Sequence, residues 1–444
     1  MRNLLLLVLC WCAALPAAPA DPLELTVHLQ TEEKRQPLYL SLPAECPQAI
    51  RSALQFDLYH GGYFAPATLS EEASKTLATS MGKPEWWKAA SKLGLAYVAT
   101  LRKTPPGLWQ LECTRIASRD TWKSEERALT GDPTEQRFLT HTWTDALHLA
   151  WFQRPPIATK RILYTWAKQS GGASEIWEAD YDGQNRRKLI SEAHVCLSPM
   201  YLPADRGHHP QGILYVSYRA GMPKLFMVPT LGEQPQRVSE LAGNQFHPIL
   251  SRQADRIAFI SDAAGRPDLF IQPFCPKRGA LGRARQLYTA PHSGQASPTW
   301  SPDGKKIAFV SDKDRAQRIY VLEIPPLETK IQEMRPVCIS KVNAENTAPA
   351  WSPNGRYLAY CAKVAGTRQI WVYDFETGQE RALSSGPHHK ENPVWGADSL
   401  HLVYNTANAT QSELYLANLN EPSAVRITEG PGIKRFPHWD DNSK

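Results

Sequence analysis

The chain has 444 residues, 42% hydrophobic and 21% charged, with a formal net charge of +6. That composition excludes a mainly disordered chain, and the length allows two or three domains. The basic residues are scattered rather than gathered into the stripe that a nucleic-acid surface requires, so no nucleic-acid partner is expected.

Residues 1–20 read as an export signal: Arg2 precedes an apolar run over residues 4–14, and Ala18-Pro19-Ala20 gives a small-x-small cleavage pattern after Ala20. The run is too short for a permanent anchor. Leu9 and Trp11 precede Cys10 and Cys12 where a lipoprotein signal would carry a small residue. No later stretch has the apolarity of a membrane helix, so the mature chain is expected to be exported and soluble, a monomer without direct membrane insertion. Cys46, Cys113, Cys196, Cys275, Cys338 and Cys361 remain after cleavage, with no C-x-x-C spacing. An oxidising compartment permits disulfides, but most of these cysteines lie in apolar runs, which favours buried free thiols.

From Asp21 onward, Glu24-Leu25-Thr26-Val27-His28-Leu29 alternates as a half-buried strand does, and residues 38–42 repeat the pattern. A helix is expected from Pro47, with Ile50, Ala53, Leu54 and Leu58 on one face and Gly61-Gly62 as its stop. A second is expected from Pro84 through Trp87, Ala90 and Leu93 to Gly94. Residues 95–101 and 108–116 read as strands. A third helix spans roughly 135–152, with Leu139, Trp143, Ala146, Leu147 and Ala150 as its apolar stripe. These elements make a small N-terminal α/β domain, residues 21–153, bounded by Arg154-Pro155-Pro156.

Beyond residue 157 the helical signal gives way to repeats. Pro298-Thr299-Trp300-Ser301-Pro302-Asp303-Gly304 with the run 307–312 returns at Pro349-Ala350-Trp351-Ser352-Pro353-Asn354-Gly355 and at Pro393-Val394-Trp395. Looser copies begin at Leu197 and Pro248. Each unit holds four short apolar runs separated by turn residues, and the third and fourth runs recur six times. Four strands per period of about 40 to 50 residues are the mark of a β-propeller blade. The first repeat, at Arg161, lacks a Pro-x-Trp segment, while the tail carries an orphan one, Phe436-Pro437-His438-Trp439. The expected fold is therefore a small α/β domain followed by an all-β six-bladed propeller, residues 157–444, whose ring is closed by the C-terminal strand.

Signal, α/β domain and blades carrying P-x-W-S-P-D-G-x-x-I-A-F-V-S-D together resemble the TolB family, the periplasmic component of the Tol-Pal envelope system. Asp57-Leu58 with residues 61–66 is similar to the family's D-L-x-x-S-G-x-F segment, and the run Phe138, His141, Asp145 to its helix before the propeller. The resemblance implies a binding scaffold without catalysis or cofactor, supporting outer-membrane integrity and cell division. It implies docking of the peptidoglycan-associated lipoprotein Pal over one mouth of the channel, and engagement of TolA by the N-terminal element, which falls on residues 24–29. Other envelope proteins are further candidate partners.

The residues leading into each innermost strand should ring one mouth. They are Asn244, Gln245, Phe246 and His247; Gln295, Ala296 and Ser297; Asn346 and Thr347; Glu391 and Asn392; and Arg435 and Phe436. In the family the loops of the third and fourth blades contact Pal, which maps onto residues 244–247 and 295–297, with Asn244 standing where a histidine is common. Connecting loops on a rigid scaffold are where binding residues concentrate. The repeated Trp300, Trp351, Trp395 and Trp439 read as packing residues. Asp303, Asp398 and the stretch 180–183 lack the alternating acidic spacing of a calcium loop and read as turns. His141, Asp145 and His148 share one helical face, as a metal site would require. No fourth ligand is evident, and a polar face opposite the apolar stripe is the favoured reading, so no metal is expected. His208-His209 and His388-His389 read as solvated pairs. No G-x-S-x-G, H-E-x-x-H or phosphate-binding loop occurs. The competing reading is an exported propeller hydrolase or lyase, or a small-ligand binder using the central channel.

Overall fold

A computed structural model describes residues 35–80, 83, 85–105, 107–203, 212–324, 333–408 and 410–440. The signal, the segment Glu24 to Leu29, Pro84 and the His208-His209 pair lie outside the described residues.

The N-terminal module opens with β1 (Gln36–Ser41), α1 (Gln48–His60), β2 (Phe64–Pro66), α2 (Glu71–Ser80) and α3 (Trp86–Lys92). It continues with β3 (Tyr97–Lys103), β4 (Trp109–Arg115), β5 (Asp120–Lys123) and α4 (Pro133–Phe152). The sheet order is β2-β1-β3-β4-β5, with β1 parallel to β2 and β3. Ile50 and Leu54 of α1 and Trp143 of α4 pack with Leu101 and Leu111 on one face. Leu77 of α2 and Trp86 and Ala90 of α3 pack with Val98 on the other. Alternating residues on the pleated strands serve the two faces, so the layers follow from sequence period.

Asp132 caps α4, its Oδ1 accepting the Thr134 N–H at 2.8 Å, and Pro133 occupies the first turn. Its burial corrects the expected stripe. Trp143 and Leu147 are buried, but Ala146 and Ala150 are exposed, whereas Arg137, Thr140, His141, Thr144, Asp145 and His148 are buried. The expected solvated polar face is the one that packs. The partner surface across it is itself polar, which helical periodicity alone does not reveal.

The first blade contributes β6 (Arg161–Ala167), β7 (Ser174–Asp180) and β8 (Arg187–Ser191). Its innermost strand is the closing strand Ile433–Trp439, giving the sheet order closing strand, β6, β7, β8. The other blades start from Cys196–Leu202, Gln245–Leu250, Gln295–Trp300, Asn346–Trp351 and His389–Trp395, which completes six. The outermost strands of the second, fourth, fifth and sixth blades end earlier than the fourth apolar runs suggest, whereas Arg187–Ser191 and Arg285–Tyr288 match theirs. Val238, Ile339 and Ile427 follow those strands and are buried.

Each innermost strand carries the same irregularity. Ser198, His247, Ser297, Ala348, Asn392 and Phe436, each preceding a proline, have φ between 45° and 54°. In all six blades the pairing register shifts across this residue and its proline, so it sits in a β-bulge. The innermost strand is a sheet edge, where proline removes no ladder hydrogen bond. A non-glycine left-handed residue costs of order 1 kcal/mol, so the surrounding blade must hold it in place. Two of the tryptophans brace the ring: the Trp300 indole N–H donates to the Ile249 carbonyl at 3.2 Å, and that of Trp395 to the Ala350 carbonyl at 3.0 Å, each on the preceding blade.

Deleting residues 435–444 removes most of the closing strand and leaves β6 as an unpaired edge. The truncated chain is predicted to lose cooperative urea unfolding; a transition with the midpoint of the full chain would refute closure by the tail.

Candidate functional site: channel mouth and inter-module seam

The innermost strands run the length of a channel lined by their prolines and by Trp300, Trp351, Trp395 and Trp439, enclosing about 280 Å³. At one end lie the starts of these strands, where the candidate binding residues fall. At the other end, the N-terminal module packs on blades five, six and one. Leu58, Tyr63 and Phe64 share a core there with Tyr357, Trp395, Leu400 and Leu419. The module and the candidate mouth therefore occupy opposite faces of the ring.

The candidate residues separate into two groups. Gln245, Gln295 and Asn346 are buried. Gln245 accepts the Leu225 N–H at 3.1 Å and donates to the Leu241 carbonyl at 2.8 Å; the Asn346 amide donates to the Asn343 carbonyl at 2.8 Å. These side chains shape the mouth from within and offer nothing to a partner. Asn244, Phe246, His247, Ala296, Ser297, Thr347, Glu391, Asn392, Arg435 and Phe436 are half-buried. Asn244 is held by Asp262 at 2.6 Å and Glu391 by Arg368 at 2.8 Å, so the rim is prearranged. Burial brings the His247 imidazole down to about 4, and its neutral Nδ1 accepts the Ser297 N–H at 3.2 Å, tying the third blade to the fourth.

At the seam, the buried face of α4 meets α1 and the first blade. Asp57 of α1 receives the Thr144 hydroxyl at 2.6 Å, the Tyr181 hydroxyl at 2.5 Å and His141 Nδ1 at 2.9 Å. Burial alone would raise the Asp57 carboxyl, but His141 and the two hydroxyls hold it below the ordinary carboxylate range. Burial likewise opposes a charge on His141, and Asp57 outweighs it, raising the imidazole.

Asp145 accepts four hydrogen bonds from the stretch that leads into β6: the Ile157, Ala158 and Thr159 N–H groups at 2.9 Å and the Thr159 hydroxyl at 2.7 Å. Arg137 pairs with Asp182 and donates to Ser52 at 2.9 Å. His401 in the sixth blade bridges Asp398, at 2.6 Å, to the His60 carbonyl, at 2.8 Å.

His141, Asp145 and His148 do not converge, because each faces different groups. The stretch 180–183 does form a turn, and Gly183 is required there: at φ 80° a Cβ would lie 1.5 Å from the Ile427 carbonyl oxygen of the neighbouring blade. Asp303 accepts the Ser301 hydroxyl at 2.6 Å and the Lys305 N–H at 3.0 Å, as turn chemistry predicts. Cys46, Cys113, Cys196 and Cys361 are buried free thiols; Cys275 and Cys338 are free and half-buried. Among the described residues no helix is long and apolar enough to cross a membrane. The seam escaped sequence reading, although Asp57 in the middle of an apolar helix face was a signal for it.

His148 is 5% exposed and packs between Tyr63 and Phe152, and burial lowers its imidazole to about 4. The folded chain resists a proton that the unfolded chain accepts near pH 6.5, so this group contributes stability above that pH, lost as pH falls toward 4. Urea unfolding at pH 7 and pH 5 is predicted to show the wild type losing about 2 kcal/mol more than His148→Gln over that interval. Equal losses would contradict the assignment.

Comparison with known proteins gives a consistent relationship. The family model described as TolB beta propeller domain matches residues 157–333 and 331–444. The TolB homolog of Protochlamydia amoebophila is 39% identical over 406 residues, covering 87% of this chain and 86% of its own. That of Chlamydia pneumoniae is 31% identical over 422 residues, covering 94% and 89%. The crystal structure of TolB from Acinetobacter baumannii superposes with a TM-score of 0.70 at 17% identity, covering 92% of this chain and 97% of that one, which extends the likeness of fold to both modules. The chain belongs to the TolB family.

Proposed function

We propose that this chain is a periplasmic, non-catalytic scaffold of a Tol-Pal envelope complex. Its propeller mouth binds the soluble part of the peptidoglycan-associated lipoprotein, and residues 24–29 engage TolA by strand addition. Family membership supports the system. The observation that carries the docking site is the half-buried rim built from the third to sixth blades and the closing strand, on the face opposite the N-terminal module. A partner seated there meets several blades at once without displacing the module. Phe246 and Phe436 offer apolar contact, while Glu391 and Arg435 offer charges of both signs. Apolar anchors within a polar rim are the usual composition of a specific interface.

Calorimetric titration of the chain lacking residues 1–20 with the soluble domain of its own organism's peptidoglycan-associated lipoprotein tests this. A complex is predicted, weakened about tenfold or more by Phe246→Ala combined with Arg435→Ala, since interface anchors commonly contribute more than 1 kcal/mol each. No complex with the wild-type chain, or one indifferent to both substitutions, would overturn the assignment of the mouth.

A further inference from the structure

The seam contains a cluster that its own hydrogen bonds leave incomplete. His141 on α4, Asp180 at the end of β7 and Asp182 in the turn after it are all buried, and one ligand atom from each lies within 4.8 Å of the others. His141 Nδ1 faces the Asp57 carboxylate at 2.9 Å, so the proton of a neutral ring sits on Nδ1 and Nε2 keeps its lone pair. His141 is 2% exposed, and its Nε2 meets no hydrogen-bond partner among the described residues. The Asp182 carboxylate stands 3.7 Å away. A lone pair directed at a carboxylate is repelled by it; a cation between the two turns that repulsion into coordination.

We propose that His141 Nε2, Asp180 and Asp182 bind a divalent transition metal of the zinc class at the seam. One imidazole and two carboxylates are a donor set that zinc accepts. The Asp57 carboxylate behind His141 supplies the arrangement that fixes the tautomer and orients a metal-bound histidine. The charges agree. Asp57, Asp180 and Asp182 are faced by Arg137, which pairs with Asp182, and by Arg161, partly exposed and 3.8 Å from Asp180. With His141 neutral, the buried carboxylates outnumber the buried guanidinium. Asp180 is also steadied by the Asn185 amide at 2.6 Å, and Asp182 by the Gln184 N–H at 3.0 Å, so both carboxylates are held near the imidazole. Ligands on a zinc ion with bonds of about 2.0 to 2.1 Å stand about 3.3 Å apart, a modest closure of the present spacing. The metal would join α4 of the N-terminal module to the first blade. The alternative occupant of the gap is a second proton on His141.

Zinc chloride titrated into the chelator-treated chain lacking residues 1–20 provides the test, in a background where His388→Ala removes an exposed histidine. One equivalent is predicted to bind and raise Tm, and His141→Gln to abolish that uptake while His148→Gln retains it. Cobalt(II) in place of zinc should give the visible absorption of a four-coordinate ion in the His141 chain alone. No uptake of either metal by that chain overturns the proposal and leaves the gap to a proton. Undiminished uptake by His141→Gln overturns it as well, by assigning the metal to other residues.

Discussion

Two buried carboxylates fix how the halves of this chain meet. An ionised carboxylate removed from water costs several kcal/mol unless donors surround it. Asp145 finds four donors in the stretch entering β6, and Asp57 finds three, from α4 and from Tyr181 of the first blade. Because the four donors to Asp145 and the Tyr181 donor to Asp57 lie on the propeller side, sliding one module past the other would strip hydrogen bonds from charges that cannot reach solvent. The apolar core around Leu58, Phe64, Trp395 and Leu400 supplies the adhesion, and the polar seam supplies the register. Hydrophobic packing alone tolerates small displacements; a charge-assisted network does not.

The ring makes a separate demand. Its blades are held by the closing strand and by indole donors that reach back one blade, and every innermost strand repeats a left-handed residue before a proline. That repeated bulge turns the strands along the channel and presents the residues around it at the mouth. The surface proposed to bind a partner therefore stands on constrained backbone, at the far end from the seam. Preorganisation of this kind lowers the ordering cost of association.

Much of this architecture was legible in the sequence. The interval between Pro-x-Trp segments fixes the blades, and the orphan segment at Phe436 points to closure by the tail, as the pairing of Arg435 with Thr165 shows. The α4 surface was not legible in the same way. Period identifies which residues share a face, but burial depends on what lies opposite, and here Asp57, Tyr181 and Asp182 make a polar face the buried one. Gln245, Gln295 and Asn346 illustrate the same limit: amide side chains beside a loop look like contact residues, yet the blade turns them inward, Gln245 and Asn346 onto its own backbone and Gln295 onto the Ser293 hydroxyl. The bulges too had a visible cause, a proline within each innermost strand, without a sequence rule that gives the sign of φ for the residue before it.

The polar seam is predicted to make the two modules one cooperative unit. Differential scanning calorimetry of the chain lacking residues 1–20 tests it most directly. A single transition is expected, with calorimetric and van't Hoff enthalpies in agreement, splitting into two when Asp57→Ala and Asp145→Ala are combined. Two separate transitions in the unaltered chain would contradict it.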